Sequence, residues 1–207
     1  MGSHNGSGKF NRACCILRSI AVVFPLCTAL HAQQHELRLQ FTPANTSVRF
    51  TLGDVLHTVH GSFELKQGDV DYKFGSAAVQ GSLVIDATSG QSGNRSRDRK
   101  MHKEILESAQ YPEITFHPDR ADGAVAQSGV SNVQVHGIFS IHGTNHEMTI
   151  PVRVELLPDH WIADTHFTVP YVKWGIKNPS TFLLRVSESV EIEIHATGES
   201  PFPGGAH

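Results

Sequence analysis

Residues 133–156 read VQVHGIFSIHGTNHEMTIPVRVEL and carry the clearest structural pattern in the chain. Apolar side chains alternate with polar ones up to Ile141, and the alternation resumes at Met148 and continues to Leu156. Successive side chains of a β-strand point to opposite faces, so each half is typical of a strand with one buried face. Residues 142–146 have a turn-forming composition. The stretch therefore predicts two strands joined by a tight connection.

The same alternation recurs along the rest of the chain. It predicts further strands over residues 47–52, 57–65, 79–86, 114–116, 161–169, 182–186 and 190–194. A turn is predicted at residues 67–69, where glutamine, glycine and aspartate follow one another. About eight strands of this kind indicate an all-β fold, built on an antiparallel sheet with one dry face.

One stretch, residues 96–107, departs from this period. Its apolar residues Met101, Ile105 and Leu106 recur at helical spacing, and Ser96 stands where an N-cap is needed. Residues 89–94, which precede it, are predicted to form a loop. The sequence thus predicts one short helix within a connection between strands.

An eight-stranded sheet can remove its exposed edges by closing into a barrel. The interior of such a barrel is either filled by side chains or just wide enough for one small ligand. A sandwich of two sheets would show the same alternation. The residues alone leave barrel and sandwich open.

The composition excludes some classes of protein. The 207 residues include 17 Lys and Arg against 20 Asp and Glu, for a formal charge of −3, which gives no electrostatic reason to expect nucleic-acid binding. A hydrophobic fraction of 39% excludes a chain that is disordered throughout. The sequence also lacks a strong basic cluster after residue 32, which argues against a ligand with a bare pyrophosphate head.

The N-terminal segment predicts secretion. Residues 1–32 contain three basic residues and no acidic one, and the apolar run 20–30 is shorter than the ~20 residues that a membrane-spanning helix needs. These features, with cleavage placed after Ala32, predict a signal peptide, and an uncleaved anchor is the alternative. All three cysteines lie in this segment, so the mature protein is expected to have neither a disulfide nor a reactive thiol.

Neither a metal site nor a catalytic site is expected. His57 and His60 are three residues apart and would face opposite sides of a strand. His136 and His142 share a face, but six residues of strand separate them by about 20 Å. The nucleophile motif Gly-x-Ser-x-Gly and glycine-rich phosphate loops are both absent from the sequence. We therefore predict no metal, no cofactor and no enzyme activity.

Several motifs, taken in order and with their spacing, resemble the YceI-like family. They are His57-Thr58-Val59-His60-Gly61-Ser62-Phe63, Arg97-Asp98, Met101-His102, Leu106-Glu107-Ser108, Tyr111-Pro112-Glu113-Ile114-Thr115-Phe116 and residues 172–182, VKWGIKNPSTF. The resemblance spans about residues 37–197. It implies a secreted or periplasmic protein with a lipocalin-like, eight-stranded antiparallel barrel that binds polyisoprenoid lipids in its lumen. The domains expected are a signal peptide over 1–32, a YceI-like lipid-binding barrel over 33–200 and a flexible tail over 201–207.

The expected function is non-catalytic binding of an apolar, isoprenoid lipid for carriage or storage in the periplasm. One five-carbon isoprene unit contributes roughly 3–4 kcal/mol gross when it leaves water, at about 0.8 kcal/mol per methylene. The residues expected to line the lumen are Phe50, Phe63, Leu83, Ile85, Phe116, Phe139, Phe167 and Phe182. The helical residues Met101, Ile105 and Leu106 are expected to close one mouth, and Arg97, Asp98 and Trp174 to supply polar contacts there.

The alternative is a tightly packed, secreted barrel without a lipid ligand. Such a barrel would bind a protein partner through loops at residues 89–95 or 142–146. The resemblance also leaves a homodimer open, although nothing in the sequence defines its interface.

Overall fold

The computed structural model describes residues 36–53, 58–180 and 185–200. The described residues all belong to one compact unit, within Gln34–His207. The predicted signal peptide, the tail 201–207, Phe182 and His57 lie outside the described residues. Within those residues, no helix has the length and apolar character that crossing a membrane requires.

Nine strands and one helical segment make up the described part of the chain. The strands are β1 Glu36–Phe41, β2 Thr46–Gly53, β3 Thr58–Lys73, β4 Val79–Gln91, β5 Glu113–Asp122, β6 Gly129–Ile141, β7 Thr144–Leu156, β8 His160–Val169 and β9 Val190–Glu199. The helical segment begins as the α-helix α1, Arg95–Lys100, and continues as a π-helical turn over Met101–Ile105.

The sheet closes on itself. Hydrogen-bonded neighbours follow the order β2-β9-β8-β7-β6-β5-β4, and β3 pairs with both β4 and β2. All these pairings are antiparallel. The prediction of an eight-stranded antiparallel barrel is therefore confirmed, and the sandwich is excluded.

The ninth strand, β1, does not widen the ring. It pairs with β3 on the same edge as β2, with Phe41 opposite Gly68 and Val48 opposite Phe63. Between β1 and β2, the backbone N–H of Thr42 donates to Asn45 Oδ1 at 2.7 Å. Strands β1 and β2 thus share one barrel position, which the turn at residues 42–45 interrupts.

The predicted turn at residues 67–69 is wrong, and so is the early end of the strand before it. Strand β3 continues through these residues to Lys73, and its pairing with β4 shifts register between Ser62 and Glu64 and between Leu65 and Gln67. The turn-like composition marks irregular pairing within a long strand, where bulges increase the local twist. Strand β1, which was not predicted, pairs with this second half of β3.

Three boundaries also differ from the prediction. Strand β4 extends through residues 89–91, which were predicted as loop. The N-cap of α1 is Asn94 rather than Ser96, because Asn94 Oδ1 accepts hydrogen bonds from the backbone N–H groups of Ser96 and Arg97. The strand predicted over 182–186 lies partly outside the described residues, and Arg185 and Val186 belong to no extended strand.

The β6–β7 hairpin is tighter than predicted. Its loop consists of His142 and Gly143 alone, since Ile141 pairs with Thr144. Both loop residues have positive φ, 52° and 73°, as a type I′ turn requires. His142 is held there by the Tyr111 ring at 4.5 Å and by the Glu107 carboxylate at 3.0 Å.

The barrel interior contains two clusters of buried apolar side chains. One includes Leu37, Leu65 and Trp161, and the other includes Phe139 and Phe167. The helical residues Ile105 and Leu106 pack against the second cluster. The helical segment therefore covers the end of the barrel that this cluster occupies.

Candidate ligand cavity

Two cavities lie inside the barrel. The larger has a volume of about 730 Å³ and extends beneath the helical segment, and the smaller has a volume of about 140 Å³. Five residues line both cavities and form a waist between them: Ile85, Ile114, Phe139, Phe167 and Ile194. The lumen is therefore divided into two chambers rather than filled.

Alternate residues of the strands supply the walls of the larger cavity. On β2 these are Val48, Phe50 and Leu52. On β9, residues 190, 192 and 194 line the same space. The period of two places every second side chain on the inner face, so the apolar alternation of the sequence becomes the apolar wall.

Glycines at two positions leave room for the aromatic side chains of this wall. A Cβ at Gly61 would overlap the Phe50 ring, and one at Gly90 would lie 2.5 Å from the Phe63 ring. The rings of Phe50 and Phe63 are in turn packed with centroids 5.4 Å apart. Glycine at these two positions allows both rings to lie against the sheet.

The cavity is covered by the helical segment and by residues 170–180, which contribute Tyr171, Ile176 and Pro179. The Tyr171 hydroxyl donates to the backbone oxygen of Ser187 at 2.6 Å. Burial raises the pKa of Tyr171 to about 12, and the negative charge of Glu188 adds to this shift. Tyr171 is therefore a neutral phenol at physiological pH, with its proton donated to the backbone.

The structure places most of the predicted lumen residues along these cavities. The larger cavity is lined by Phe50, Phe63, Ile85, Met101, Ile105, Leu106, Phe139 and Phe167. Leu83 and Phe116 line the smaller cavity instead. Phe182 lies outside the described residues.

The predicted polar residues have different surroundings. Arg97 lines the larger cavity, whereas Asp98 is not among the residues that line it. The two side chains meet through Ser92: Arg97 Nε donates to Ser92 Oγ at 2.7 Å, and Asp98 Oδ1 accepts from the Ser92 backbone N–H at 2.9 Å. Asp98 therefore fixes the start of the helical segment rather than facing the lumen.

Trp174 is not among the residues that line either cavity. Its ring stacks on the His146 imidazole, with centroids 4.0 Å apart and planes 5° apart, and lies 5.7 Å from the Phe139 ring. His146 is half-buried, its Nε2 has no hydrogen-bond partner, and burial lowers its pKa. Trp174 and His146 thus support Phe139 through ring contacts.

Some lining residues were not singled out from the sequence. The apolar ones, such as Val48, Ile192 and Ile194, share the parity of those that were chosen, so the alternation itself could have found them. The polar residues Asn94 and Lys100 also line the larger cavity. Their position depends on how the helical segment lies across the barrel, which the sequence pattern does not express.

A third depression, of about 550 Å³, lies on the polar outer face of the sheet. Three of its polar side chains contact one another: Arg153 Nη1 lies 3.4 Å from Asp164 Oδ2, and His195 Nδ1 lies 2.6 Å from Asp164 Oδ1. No group of three or more His, Cys, Asp or Glu side chains in the described ranges is arranged to hold a metal ion.

A closed eight-stranded antiparallel barrel with an apolar lumen beneath a helical cover defines the lipocalin-like class. Within this class, the chain belongs to the YceI-like family, because residues 39–198 match the YceI-like domain. The resemblance in the sequence motifs is confirmed. No curated protein matches the sequence significantly.

Solved structures share the fold at low sequence identity. The match to BcnA of Burkholderia cenocepacia has a TM-score of 0.61 at 18% identity and covers 74% of this chain and 96% of that one. A polyisoprenoid binding domain from Saccharophagus degradans, implicated in plant cell wall breakdown, has a TM-score of 0.59 at 16% identity, with 79% and 98% covered. The YceI protein of Campylobacter jejuni has a TM-score of 0.59 at 13% identity, with 70% and 86% covered.

Proposed function

We propose that the barrel binds an apolar, long-chain lipid, a polyisoprenoid, in its lumen and performs no chemistry on it. The observation that carries this proposal is the larger cavity. Its volume of about 730 Å³ falls within the range of about 300–1,000 Å³ typical of small-molecule sites. Its walls are mainly aliphatic and aromatic, and no Asp or Glu is among the described residues that line it.

The apolar lining gives a direct source of affinity. At roughly 3–4 kcal/mol gross per isoprene unit, a few units exceed the cost of ordering the chain and of lost translation. Because the waist residues are shared by both chambers, the two cavities lie end to end. A linear tail fits such a lumen better than a compact ligand does.

Family membership supports the same class of ligand. The Saccharophagus degradans structure is of a polyisoprenoid binding domain and shares the fold of this chain. We extend that ligand class to this chain as part of the proposal. The tightly packed alternative is less consistent with a cavity of this size, so we favour a ligand in the lumen over a barrel that only presents loops.

The cellular role is also part of the proposal. We propose that residues 1–32 direct export, that residues 33–200 function as the lipid-binding domain in the periplasm, and that residues 201–207 form a tail. A closed apolar lumen is suited to carrying or storing a lipid between membranes. The protein is proposed to act without catalysis, and a homodimer is compatible with this role.

The experiment compares two substitutions that each add an indole ring. Ile192→Trp adds it at a position that lines the larger cavity, and Val130→Trp adds it at a position whose side chain is 50% exposed on the barrel exterior. We expect displacement of a fluorescent apolar probe by a prenyl alcohol to weaken at least tenfold in Ile192→Trp and to stay unchanged in Val130→Trp. Equal affinities in the two variants, with both folded by circular dichroism, would contradict the proposal.

A further inference from the structure

The helical segment carries a row of basic side chains on its outer side. Arg95, Arg99 and Lys103 follow one another at intervals of four residues, a spacing that makes them neighbours on one helix face. All three are exposed, and none is among the described residues that line a cavity. We call these three residues the basic stripe. At a rise of 1.5 Å per residue the stripe is roughly 12 Å long.

The other side of the same segment faces the lumen. Met101 and Ile105 line the larger cavity, as do Arg97 and Lys100 of α1. The basic stripe therefore lies on the outside of the cover over that cavity. A surface that binds the stripe would lie against this end of the barrel.

The positive charge of the basic stripe is not neutralised by the protein. Within the described part of the chain, its three side chains make neither an ion pair nor a hydrogen bond. The carboxylates on the same segment have other partners. Asp98 accepts hydrogen bonds from the backbone N–H and the hydroxyl of Ser92, and Glu104 Oε2 lies 3.6 Å from Lys177 Nζ.

The basic residues of the strands have different surroundings. Arg38, Lys66, Arg120 and Arg153 each lie within 3.4 Å of a carboxylate oxygen. Residues 95–103 contain five Lys or Arg and one Asp, whereas the whole chain has a formal charge of −3. Although no strong basic cluster was expected after residue 32, the helix brings these cations together. The cover is thus a positive region on a protein of negative net charge.

Two considerations favour an anionic lipid bilayer as the partner of this surface. A bilayer that contains anionic lipids presents a broad negative plane, which attracts exposed Lys and Arg side chains near it. A bilayer is also the source of an apolar lipid, and the basic stripe lies on the cover of the cavity that is proposed to bind one.

From this arrangement we infer that the basic stripe docks the barrel on an anionic lipid bilayer, with the helical segment against the headgroups. The choice of a bilayer rests on the proposed function, because the proposed ligand is a membrane lipid. Among the described residues, the only exposed large hydrophobic side chain is that of Val130, near the start of β6, whereas Ile141 at the other end of β6 lines the larger cavity. The docking is therefore electrostatic, without an inserted apolar side chain.

The test measures cosedimentation of the full chain with vesicles of phosphatidylcholine, either alone or mixed with phosphatidylglycerol as the anionic lipid. We expect binding to the anionic vesicles to be at least tenfold tighter. The difference should disappear as salt is raised from about 0.1 M to about 1 M, because the Debye length shortens from about 10 Å to about 3 Å. Equal binding to the two kinds of vesicle, or a preference that salt does not change, would overturn the inference.

Matched triple variants assign the binding to the basic stripe. Arg95→Gln/Arg99→Gln/Lys103→Gln is expected to lower the affinity for anionic vesicles at least tenfold, since each exposed cation near the surface contributes to binding. Residues 1–32 are common to all the proteins compared, so their contribution cancels.

The control variant removes the same charge at the other end of the barrel. Arg38, Lys73 and Arg120 are exposed, and the residues next to them in the strands line the smaller cavity. Arg38→Gln/Lys73→Gln/Arg120→Gln should bind anionic vesicles nearly as the unchanged protein does. Equal losses in the two triple variants would overturn the inference, because they would show an effect of net charge alone.

A conservative variant separates a bilayer from an acidic protein partner. Arg95→Lys/Arg99→Lys should retain vesicle binding, because attraction to a charged plane requires the charge and not the planar guanidinium group. Loss of binding in this variant would indicate recognition of a specific carboxylate geometry and would overturn the inference.

The vesicles contain no prenyl lipid, so docking is measured independently of ligand binding in the lumen. Displacement of an apolar probe by a prenyl alcohol tests the lumen alone. Failure to dock on anionic vesicles, with that displacement intact, would overturn only the docking surface. Docking without displacement of the probe would instead contradict the proposed function.

Discussion

At the scale of the residue, the wall of the lumen depends on side chains that lie outside it. Phe139 lines both chambers, and Trp174 packs against it with ring centroids 5.7 Å apart. Trp174 also stacks on His146, which pairs with Phe139 across the β6–β7 hairpin. A polar ring in the second layer therefore helps to hold an apolar wall, and its charge state affects stability.

His146 should make folding stability depend on pH. Burial lowers the pKa of His146 below its ordinary value of 6.5, so the unfolded chain binds a proton at a higher pH than the folded one. The contribution is fully present above about pH 6.5 and is lost as the pH falls through the folded pKa. His146→Phe keeps a flat ring on Trp174 and removes the titratable group. The Tm of the variant minus the Tm of the unchanged protein should therefore increase as the pH is lowered from about 7.5 to about 5.

The unchanged protein, measured at the same pH values, is the control for this prediction. Other histidines, such as His136 beside Asp119 and His195 beside Asp164, contact carboxylates and are common to both proteins. Their effects cancel in the difference between the two Tm values. Parallel Tm curves for the variant and the unchanged protein would show that His146 does not carry the effect.

At the scale of the element, alternation identified the strands well and their interruptions poorly. The pattern in residues 133–156 gave β6 and β7 because one face of each is buried along most of its length. It missed the second half of β3, because bulges there and the turn-like composition of residues 67–69 break the apparent period. The N-cap was misplaced for a related reason, since Asn94 and Ser96 are both good capping residues and only the backbone geometry distinguishes them.

The N-cap gives a prediction at this scale. Asn94→Ala removes the acceptor for the backbone N–H groups of Ser96 and Arg97, at 3.0 and 3.1 Å, and should lower the free energy of unfolding by about 0.5–2 kcal/mol. Ser96→Ala, at the position expected from the sequence to be the cap, should leave it nearly unchanged. Urea unfolding of the two variants checks this, and an equal or larger loss in Ser96→Ala would contradict the assignment.

At the scale of the whole molecule, the barrel could be expected from the sequence only through the family resemblance. The alternation correctly predicted that Phe50, Phe139 and Phe167 face inward, but these side chains would face inward in a barrel and in a sandwich alike. The alternation could not predict the cavity, because the empty volume depends on how all the inward-facing side chains pack inside the barrel. Of the polar residues at the mouth, the sequence predicted Arg97 but not Lys100, because which side of α1 faces the cavity depends on how the helical segment lies across the barrel.

The barrel is proposed to hold an apolar lipid in its lumen, and such a lipid can be detected chemically. The most direct measurement is lipid extraction and mass spectrometry of the protein, purified under native conditions after exposure to vesicles that contain a polyprenyl lipid. We expect one prenyl chain per barrel, retained through gel filtration. Recovery of the folded barrel with no apolar lipid in the extract would contradict it.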